Sequence, residues 1–579
     1  MARSGKRRWG RALLVVMMSY VCLGLLLRPA SPMRLAPVAG QPLLWRGAYH
    51  VHTTRSDGSG TPEEVAAAAA AAGLQFVILT DHGDGTRAPD PPRYVDGVLL
   101  IDGVEISTDA GHYVAIGMRQ TPFPLGGEAR GVAEDVMRFG GLRFIAHPDS
   151  PRPSLAWQDR SVRADGFEWL NADSIWRGAN SSQLLSRLAL YPFNRAGALT
   201  GLASYPTHLL ERYDTPAAAT GRLALAAVDA HARVGWRRDA DPLDGGRTIA
   251  RFPSYRALFG TFGIVAPWIG GAPSGRPQQD ADAILHFLRN HATYNALFSM
   301  ADTPFIDFEA VADGGALGGP RTDRALTGPG GPFDRHRSVR GDAALRVRTN
   351  APPGATIRVR RNGGAWREGF APSAEFEVAA ADPMAVYRAE VWLPPHRGWP
   401  LLPAAVSQAI VHNAAPPPEF SYRRLEKQPV IVTSWHGEHD PHSSVSLVSS
   451  SAIASASLAL AEGARVSQFA AVVADLSPPP PGATTLTMRL RSDAPMRLSV
   501  QLREPRAGDG LRWRRSMFVG PGGDLGYFEI DDFLPIAPAA GPVPLDRAHA
   551  LLFVLDTVNA RPGTRRTVTI EELSWVVTR

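Results

Sequence analysis

Residues 37–310 alternate short apolar runs with stretches of helical character, a pattern typical of an α/β domain. The clearest unit begins with Thr61 and Glu64, which predict a capping box, and continues through an alanine-rich helix that ends at Gly73. A buried strand over 76–79 is predicted to follow it and to place Asp81 and His82 at its end. The same reasoning predicts further strands over 98–101, 143–146, 223–228 and 302–310, and a helix over 284–290.

The second half of the chain has a different pattern, with alternating polar and apolar positions and almost no helix signal. A Gly- and Pro-rich stretch over 313–333 separates the two halves, and prolines over 414–418 mark another boundary. Strands over 344–348, 356–361 (followed by the Asn362-Gly363 turn) and 387–393 predict a small immunoglobulin-like sandwich. Five more segments predict a second, jelly-roll-like sandwich: 485–491, 496–503, 527–530, 550–555 and 567–570.

The N-terminus is typical of an export signal, because a basic stretch from Lys6 to Arg11 precedes an apolar run over 12–27. The region lacks an obvious small-x-small cleavage site, which favours an uncleaved membrane anchor over a released signal peptide. We therefore expect an exported protein, anchored and facing the periplasm or outside, or secreted if the leader is cleaved. The predicted divisions are a leader over 1–36, an α/β domain over 37–335, and sandwiches over 336–415 and 416–579.

The charge pattern argues against nucleic acid as a partner. The formal net charge is +6, but seven of the 61 basic residues lie within residues 1–34, which contain no acidic residue. The remaining chain, which holds all 55 acidic residues, is close to neutral. The single cysteine, Cys22, lies in the apolar leader, so the body folds without disulfides.

Nine potential metal ligands lie between residues 50 and 231, most of them at the ends of apolar runs. They are His50, His52, Asp57, His82, Glu105, His112, His147, Asp229 and His231. Imidazole and carboxylate groups suit zinc, iron(II) and manganese. His50 and His52 alternate on a predicted strand and so face the same side. Each residue alone also fits a structural role, such as a buried histidine, a helix cap or a turn, but nine in one ordered series favour a metal site.

The series HxHTxxSDG, TDH, GxE, GH, AHP and DAH resembles the polymerase-and-histidinol-phosphatase (PHP) superfamily of metal-dependent phosphoesterases, over about residues 45–300. The resemblance implies a distorted (β/α)7 barrel, within an α/β fold class, with two to three divalent ions (Zn, Mn or Fe) at the carboxyl ends of its strands. It assigns His50, His52, Glu105 and Asp229 to a first ion. Glu105, His112 and His147 belong to a second ion, and Asp57, His82 and His231 to a third.

The chemistry implied is attack by a metal-bridging hydroxide, with Asp229 and His231 as acid or base assistants. We expect a hydrolase of small-molecule esters, with phosphate monoesters or diesters favoured. A carbamate or amide hydrolase is the alternative, since the chain also resembles the exported CehA/McbA-type branch. An alternative from another functional class is an envelope protein that binds a glycan or other ligand and whose barrel is a relic without activity.

Residues outside the nine ligands have weaker sequence signals. Asn171, Arg177 and Arg233 are candidates to hold an anionic group, although surface arginines are expected in so Arg-rich a chain. The segment from His436 to His442 contains three histidines and two acids, for which a polar loop is favoured over a metal site. Three aromatic residues of the C-terminal sandwich could contact glycans: Tyr422, Trp435 and Trp513. The alternative is that these side chains belong to the hydrophobic core of the sandwich.

Overall fold

The computed structural model describes residues 2–218, 221–236, 247–268, 271–312, 315–317, 338–413, 426–450, 453–463, 467–504, 510–537 and 541–577. The helices are α1 (Ala2–Leu27), α2 (Pro62–Ala71), α3 (Ala129–Arg138), α4 (Ala172–Gly178), α5 (Ser181–Leu190), α6 (Arg195–Thr200), α7 (Thr207–Tyr213), α8 (Tyr255–Phe259) and α9 (Pro277–Arg289). Within the described residues, no helix is both long enough and apolar enough to cross a membrane.

Strands of the first half are β1 (Leu43–Val51), β2 (Phe76–Leu79), β3 (Arg93–Val95), β4 (Val98–Thr108), β5 (Gly111–Ile116), β6 (Leu142–Ile145), β7 (Gly166–Asn171), β8 (Leu223–Ala227), β9 (Val234–Trp236), β10 (Arg247–Ala250), β11 (Gly263–Trp268) and β12 (Tyr294–Ala296). The next ten are β13 (Ile306–Ala312), β14 (Gly315–Leu317), β15 (Ser338–Val339), β16 (Ala343–Thr349), β17 (Thr356–Arg361), β18 (Gly364–Phe370), β19 (Ser373–Val378), β20 (Ala385–Trp392), β21 (Ala405–Val406) and β22 (Ile410–His412).

The C-terminal strands are β23 (Glu426–Pro429), β24 (Val432–His439), β25 (Ser444–Ser449), β26 (Ala454–Ala459), β27 (Phe469–Leu476), β28 (Ala483–Ser492), β29 (Met496–Glu504), β30 (Leu511–Val519), β31 (Asp524–Glu529), β32 (Leu534–Pro535), β33 (Ala550–Asp556) and β34 (Arg565–Val577). Short 3₁₀ helices span Ile530–Asp532 and Leu545–Arg547. Within the described residues, the α-helices thus lie in the first half of the chain, where they alternate with strands, whereas the second half contains strands and two short 3₁₀ helices, as the sequence pattern predicts.

Seven strands of the first half are neighbours in one sheet, in the order β1-β2-β4-β5-β6-β7-β8, and β11 and β12 extend this sheet on the other side of β1. Among the seven, all neighbouring pairs are parallel except those that β5 makes with β4 and β6. The chain just after β8 then pairs with β1, where Val228 N–H donates to Tyr49 O at 3.0 Å and Ala230 N–H donates to His50 O at 3.2 Å. The sheet therefore closes on itself, and six of these seven strands have their carboxyl ends on one side.

Side-chain amides complete the closure along the edge of β8 that faces away from β7. Asn295 Oδ1 accepts from Ala226 N–H at 2.7 Å, and Gln408 Oε1 accepts from Ala224 N–H at 2.9 Å. Both amide groups also donate to Ala224 O, at 2.9 and 3.0 Å. These bonds satisfy buried backbone groups that would otherwise lose their hydrogen bonds on folding.

Local sequence signals account for several elements. Thr61 Oγ1 accepts from Glu64 N–H at 3.2 Å and Glu64 Oε2 accepts from Thr61 N–H at 3.0 Å, so the predicted capping box is confirmed. The predicted strand over 76–79 coincides with β2. In contrast, β4 runs to Thr108 and includes Glu105, because its second half forms an antiparallel hairpin with β5. Helix α9 starts seven residues before the predicted one, since its first turns are polar.

Alternate residues of the closed sheet divide between two apolar cores. One core contains Tyr49, Phe76, Ile101 and Phe144 and is extended by α9, for example by Ile284. The opposite face joins a larger core shared with α2 and the following β-domain. Burial on both faces explains why these strands have nearly continuous apolar sequences.

The predicted strand over 302–310 does not belong to the closed sheet. Strand β13 instead pairs with β16 from Ile306↔Thr349 to Ala312↔Ala343, within the four-stranded sheet β14-β13-β16-β19. The other sheet of this small β-domain, built on β17, β20 and β22, is continuous with the first half because β12 pairs with β21. The predicted hairpin turn at Asn362-Gly363 is confirmed, with both residues at positive φ.

The last part of the chain contains two six-stranded sheets, β25-β26-β34-β28-β31 with β23 on β34, and β24-β27-β33-β29-β30-β32. Apolar side chains from both sheets form one core around Trp513 and Trp575. All neighbouring strands are antiparallel, so the predicted β-sandwich architecture is present here.

Buried ion pairs fix this sandwich to α3 of the first half. Arg497 Nη1 lies 2.7 Å from Asp135 Oδ2, and its Nη2 donates to Glu134 Oε2 at 2.8 Å. Glu128, just before α3, accepts from Arg515 Nη1 and from Ser516 N–H, both at 2.6 Å. Asp135 is fully buried and Arg497 is 2% exposed, so the pair lies out of reach of water.

We expect Arg497→Met to destabilise the protein by about 3–5 kcal/mol, because Asp135 would remain buried with only the distant Arg138 Nε, at 4.0 Å, as a cation. The measurement is the midpoint and slope of urea unfolding of the full chain. Arg489→Met is the matched control, since Arg489 forms an exposed pair with Glu572 at 3.1 Å, for which about 1 kcal/mol or less is expected. Equal effects of the two substitutions would contradict a structural role for the buried pair.

Candidate metal centre

All nine predicted ligands lie at one end of the closed sheet. His50 is in β1, Glu105 in β4 and His112 at the start of β5, while the others follow β1, β2, β6 or β8: His52, Asp57, His82, His147, Asp229 and His231. Strand β5 runs opposite to its neighbours, so its first residues meet the carboxyl ends of the others. The direction of the strands therefore brings together side chains that are up to 181 positions apart.

Glu105 lies at the centre of this cluster and is 1% exposed. Its Oε2 is 3.2 Å from a ring nitrogen of each of three histidines, His50, His52 and His82. Its Oε1 is 2.7 Å from His112 Nδ1 and 2.9 Å from His147 Nε2. Five imidazoles thus surround one carboxylate.

Two aspartates organise the other side of the cluster. Asp229 Oδ1 lies 3.4–3.6 Å from ring nitrogens of His50, His52 and His231. Asp57 Oδ1 lies 3.2 Å from His231 Nε2, 3.5 Å from His52 Nδ1 and 3.7 Å from His82 Nε2. Three carboxylates therefore link the histidines into one continuous group.

Three sets of residues each bring their ligand atoms within 4.8 Å of one another. The sets are His52, Asp57, His82 and His231; His50, His52 and Asp229; and His82, Glu105 and His112. They overlap the ligand sets that the family resemblance implies but differ in detail. His52 and His82 each belong to two sets, whereas His147 reaches the cluster through Glu105. The structure therefore does not divide the nine residues among separate ions as clearly as the family resemblance does.

The donor atoms fit a divalent cation. Among the described residues, buried atoms without a hydrogen-bond partner include His50 Nε2, His52 Nε2, His82 Nδ1 and Asp57 Oδ1. Buried polar atoms left in this way are unfavourable by about 1–3 kcal/mol each. Cations such as zinc, manganese or iron(II) bind mixed imidazole and carboxylate donors and would supply the missing partner.

Hydrogen bonds on the far side of several rings set which nitrogen faces the cluster. His147 Nδ1 donates to Leu155 O at 3.1 Å, and His231 Nδ1 lies 3.1 Å from Asp229 O. A carbonyl oxygen only accepts, so each Nδ1 keeps its proton and Nε2 is the nitrogen that would bind a metal. The ligand form of these two histidines is therefore set by the backbone.

Burial and neighbouring charge shift the pKa values of the cluster strongly. Burial lowers the pKa of His82 to about 4, which keeps this imidazole neutral at pH 7. Burial would raise the pKa of Glu105, but the positive charges that His82, His112 and His50 carry when protonated hold it well below its usual range. Burial would lower the pKa of His52, but the nearby carboxylates of Asp229 and Glu105 raise it to about 10. The centre thus presents anionic oxygen beside imidazole nitrogen.

The backbone is strained at three of the nine ligands. His50, His147 and Asp229 have φ values of 64°, 29° and 41°, in the left-handed region that non-glycine residues rarely adopt. The sequence predicts simple alternation of His50 and His52, but β1 contains a register shift between Tyr49 and Val51. Such strain persists where the surrounding structure fixes the conformation, and it concentrates at functional sites.

The loop that carries Asp57 is folded tightly against β1. Gly58 N–H donates to Thr53 O at 2.9 Å, and a Cβ at Gly58 would lie 2.3 Å from His52 O. Asp81, predicted with His82 at a strand end, accepts from Thr53 N–H at 2.7 Å and from Ser56 Oγ at 2.6 Å. Asp81 therefore holds the loop, whereas His82 faces the cluster.

Glu168, on β7, is a supporting residue that the sequence analysis does not assign. Its Oε1 lies 2.6 Å from His50 Nδ1, and its Oε2 accepts from His147 N–H and from Asn171 Nδ2, both at 2.8 Å. The residue is 1% exposed. The sequence signal for it is an acidic residue inside the apolar run FEWL, where a carboxylate without partners would be unfavourable.

Asn171, Arg177 and Arg233 have different positions relative to the cluster. Asn171 is buried, caps α4 and donates from Nδ2 to Asp229 Oδ2 at 3.0 Å, so it orients a ligand and has no group left for substrate. Arg177 and Arg233 line a cavity of about 690 Å³ beside Asp57 and His231. Arg177 pairs with Asp173, and Arg233 Nη1 donates to Asp57 O at 3.1 Å.

The C-terminal candidates fall outside this centre. Most of the His436–His442 segment is not a loop, because β24 continues to His439. His436 pairs with Glu438 and Asp475 at 3.2 and 3.3 Å, and this group is not among the possible metal sets of the described residues. Trp513 is 1% exposed and belongs to the core, and Trp435 is partly buried against it, while Tyr422 lies outside the described residues.

Known proteins resemble this chain only in solved structures of low similarity. No protein-family model and no curated protein matches the chain. Matching solved structures include a family 11 carbohydrate-binding module of a Clostridium thermocellum cellulase (12% identity, TM-score 0.22, covering 27% of this chain and 97% of the module). Another is a family 29 carbohydrate-binding module mutant with mannohexaose (12% identity, TM-score 0.18, covering 27% and 93%). TM-scores this low support no conclusion about fold or function.

We expect Glu168→Gln to weaken metal binding by about 10- to 100-fold, the usual effect of losing a carboxylate that orients a ligating histidine. The measurement is a competition titration of the full chain against a chelator, with circular dichroism to verify the fold. Glu211→Gln, on the exposed face of α7, is the control and should leave the affinity unchanged. Unchanged affinity in Glu168→Gln would contradict this supporting role.

Proposed function

We propose that this chain is a metal-dependent hydrolase of the PHP type that acts on phosphate esters. The observation that carries the proposal is the convergence of nine ligand-type side chains, in the motif order of that superfamily, around the buried carboxylate of Glu105. The closed seven-stranded sheet supports the further proposal that the part of residues 37–335 that precedes β13 forms the distorted (β/α)7 barrel of the superfamily.

The ligand geometry supports a centre for two to three ions. When bound, divalent ions lower the pKa of a coordinated water and neutralise negative charge on a phosphoryl group. His50, His52, Glu105 and Asp229 would hold one ion, and the other ligand groups share Glu105 or His52 with it. Glu168 and Asn171 keep these ligands in place through His50 and Asp229.

Other residues supply substrate contacts and proton transfer. His231 is one fifth exposed and borders the cavity together with Arg177 and Arg233, whereas His50 and His52 are fully buried. If no third ion is bound, His231 is therefore placed to give a proton to a leaving group, with Asp229 Oδ1 3.4 Å from its Nδ1. Guanidinium groups bind phosphate oxygens with two donors, which suits Arg177 and Arg233 for the anionic part of the substrate.

We expect the purified full chain, after reconstitution with zinc, manganese or iron(II), to hold at least two metal equivalents by elemental analysis. Glu105→Ala should hold fewer than one, because this carboxylate contacts five of the histidines. Glu462→Ala, on the exposed surface of the C-terminal sandwich, should match the wild type. Absence of metal from the reconstituted wild type would remove the basis for a hydrolase and leave the ligand-binding alternative.

We expect the metal-loaded protein to hydrolyse a phosphomonoester or phosphodiester faster than an aryl carbamate in a parallel assay. The same centre suits attack on a carbamate carbonyl, so a reversed preference would replace the phosphoesterase by the carbamate hydrolase. Glu105→Ala should lower kcat/KM by more than about 100-fold. A loss of about 100-fold is the largest expected for a residue that only supports the ligands, whereas Glu105 is itself a proposed ligand. Full activity in this variant would show that the turnover arises elsewhere.

A further inference from the structure

The cavity beside the cluster has two chemically distinct sides. Its polar lining includes the acidic residues Asp57, Asp173 and Asp229, together with His231, Arg152, Arg177 and Arg233. The rest of its lining is mainly apolar and includes Trp176, Leu184, Leu202, Phe252 and Phe262. A volume of about 690 Å³ is within the range of pockets that enclose a whole small organic molecule.

The apolar side is built by helices that follow β7. Trp176 is in α4 and Leu184 in α5, and the rings of Trp176 and Phe252 meet edge to face at a centroid distance of 5.9 Å. Trp176, Leu184, Leu202 and Phe252 are only partly buried, although each lines the cavity. Their exposed apolar surface thus faces the space next to the cluster, where an apolar ligand group would cover it.

The polar side carries the charge for an anion. Burial lowers the pKa of Arg177, but the carboxylates of Asp173, Asp229 and Asp57 raise it on balance, which places this guanidinium within electrostatic reach of two ligands of the cluster. Arg233 is fixed by its bond to Asp57 O. An anionic group held here would contact His231 and the arginines, while the rest of the molecule would extend along Trp176 and Leu184.

Resting on the function proposed above, we infer that the substrate is a phosphomonoester of an apolar alcohol, with an alkyl or aryl group that packs against the wall formed by Trp176, Leu184 and Phe252. Hydrolysis adds water across the P–O bond: the water oxygen joins phosphorus, the bond to the alcohol oxygen breaks, and that oxygen takes a proton. The products are inorganic phosphate and the apolar alcohol. Sugar and nucleoside esters, which present hydroxyl groups to this wall, fit it poorly.

The test uses alkylphosphonates, which keep the anion and the chain but contain no P–O bond to an alcohol. Calorimetry of the metal-loaded full chain with methyl-, butyl- and hexylphosphonate should give an affinity that rises with chain length, on the order of 100-fold from methyl to hexyl. Kinetics with ethyl, butyl and hexyl phosphate should give the same order in kcat/KM. Equal or falling values would overturn the inference.

Two leucines one turn apart on α5 give a matched pair of variants. Leu184→Ala removes part of the wall and should reduce the hexyl-to-methyl affinity ratio several-fold. Leu188→Ala changes a side chain that is 38% exposed and outside the cavity, so the ratio should stay as in the wild type. Equal affinity ratios in both variants would show that the alkyl group of the ligand binds elsewhere, and would overturn the inference.

The outcomes separate this inference from the proposed reaction. If the protein prefers hexylphosphonate but hydrolyses no ester, the inference about the apolar wall stands and the proposed phosphoesterase reaction is rejected. If it hydrolyses phosphate esters at rates that do not depend on alkyl chain length, the proposed reaction stands and the inference about the wall is rejected. Loss of phosphonate binding at every chain length would overturn both.

Discussion

The burial of the Glu105 carboxylate is the constraint on which the rest of the site depends. A carboxylate that is 1% exposed is strongly unfavourable unless positive charge or donors surround it, and here five imidazoles do so. The histidines come from four separate segments of the chain, so they meet only when the sheet has closed. Closure in turn relies on the Val228 and Ala230 hydrogen bonds to β1 and on the amides of Asn295 and Gln408. The centre and the closed sheet therefore stabilise one another.

The β-domains contribute to this centre through contacts with the segments that carry ligands. Gln408 belongs to the small β-domain and satisfies the backbone of β8, which leads to Asp229. From the C-terminal sandwich, Arg561 pairs with Asp84, two residues after His82, and Arg514 pairs with Asp109 in the turn between Glu105 and His112. These pairs are partly exposed and individually weak, whereas the buried Arg497–Asp135 pair gives the sandwich a fixed position. The sandwiches thus support the ligand loops from outside the cavity.

Much of the fold and the candidate ligands could be predicted from sequence, because both depend on local patterns. The capping box at Thr61, the strand over 76–79 and five of the twelve strands described in the C-terminal sandwich follow from short-range periodicity and turn chemistry. Most of the nine candidate ligands could be recognised because they stand beside an apolar run. Local patterns do not report which strand lies beside which, so β13 was placed in the wrong sheet and β4 was predicted to end before Glu105.

The residues that sequence reasoning missed share one property: their roles depend on partners far away in the chain. Glu168 matters because His50, 118 positions earlier, lies 2.6 Å from it. Asn295 matters because β8 pairs with β7 on one edge only, and the side chain of Asn295 hydrogen-bonds to its other edge. Asn171 was expected to bind substrate, but its amide is used between Ser174 and Asp229. Polar side chains within apolar segments are the sequence signal common to all three, since burial of an amide or carboxylate demands a specific partner. The fold supplies that partner, so the signal identifies the residue while only the closed sheet determines its role.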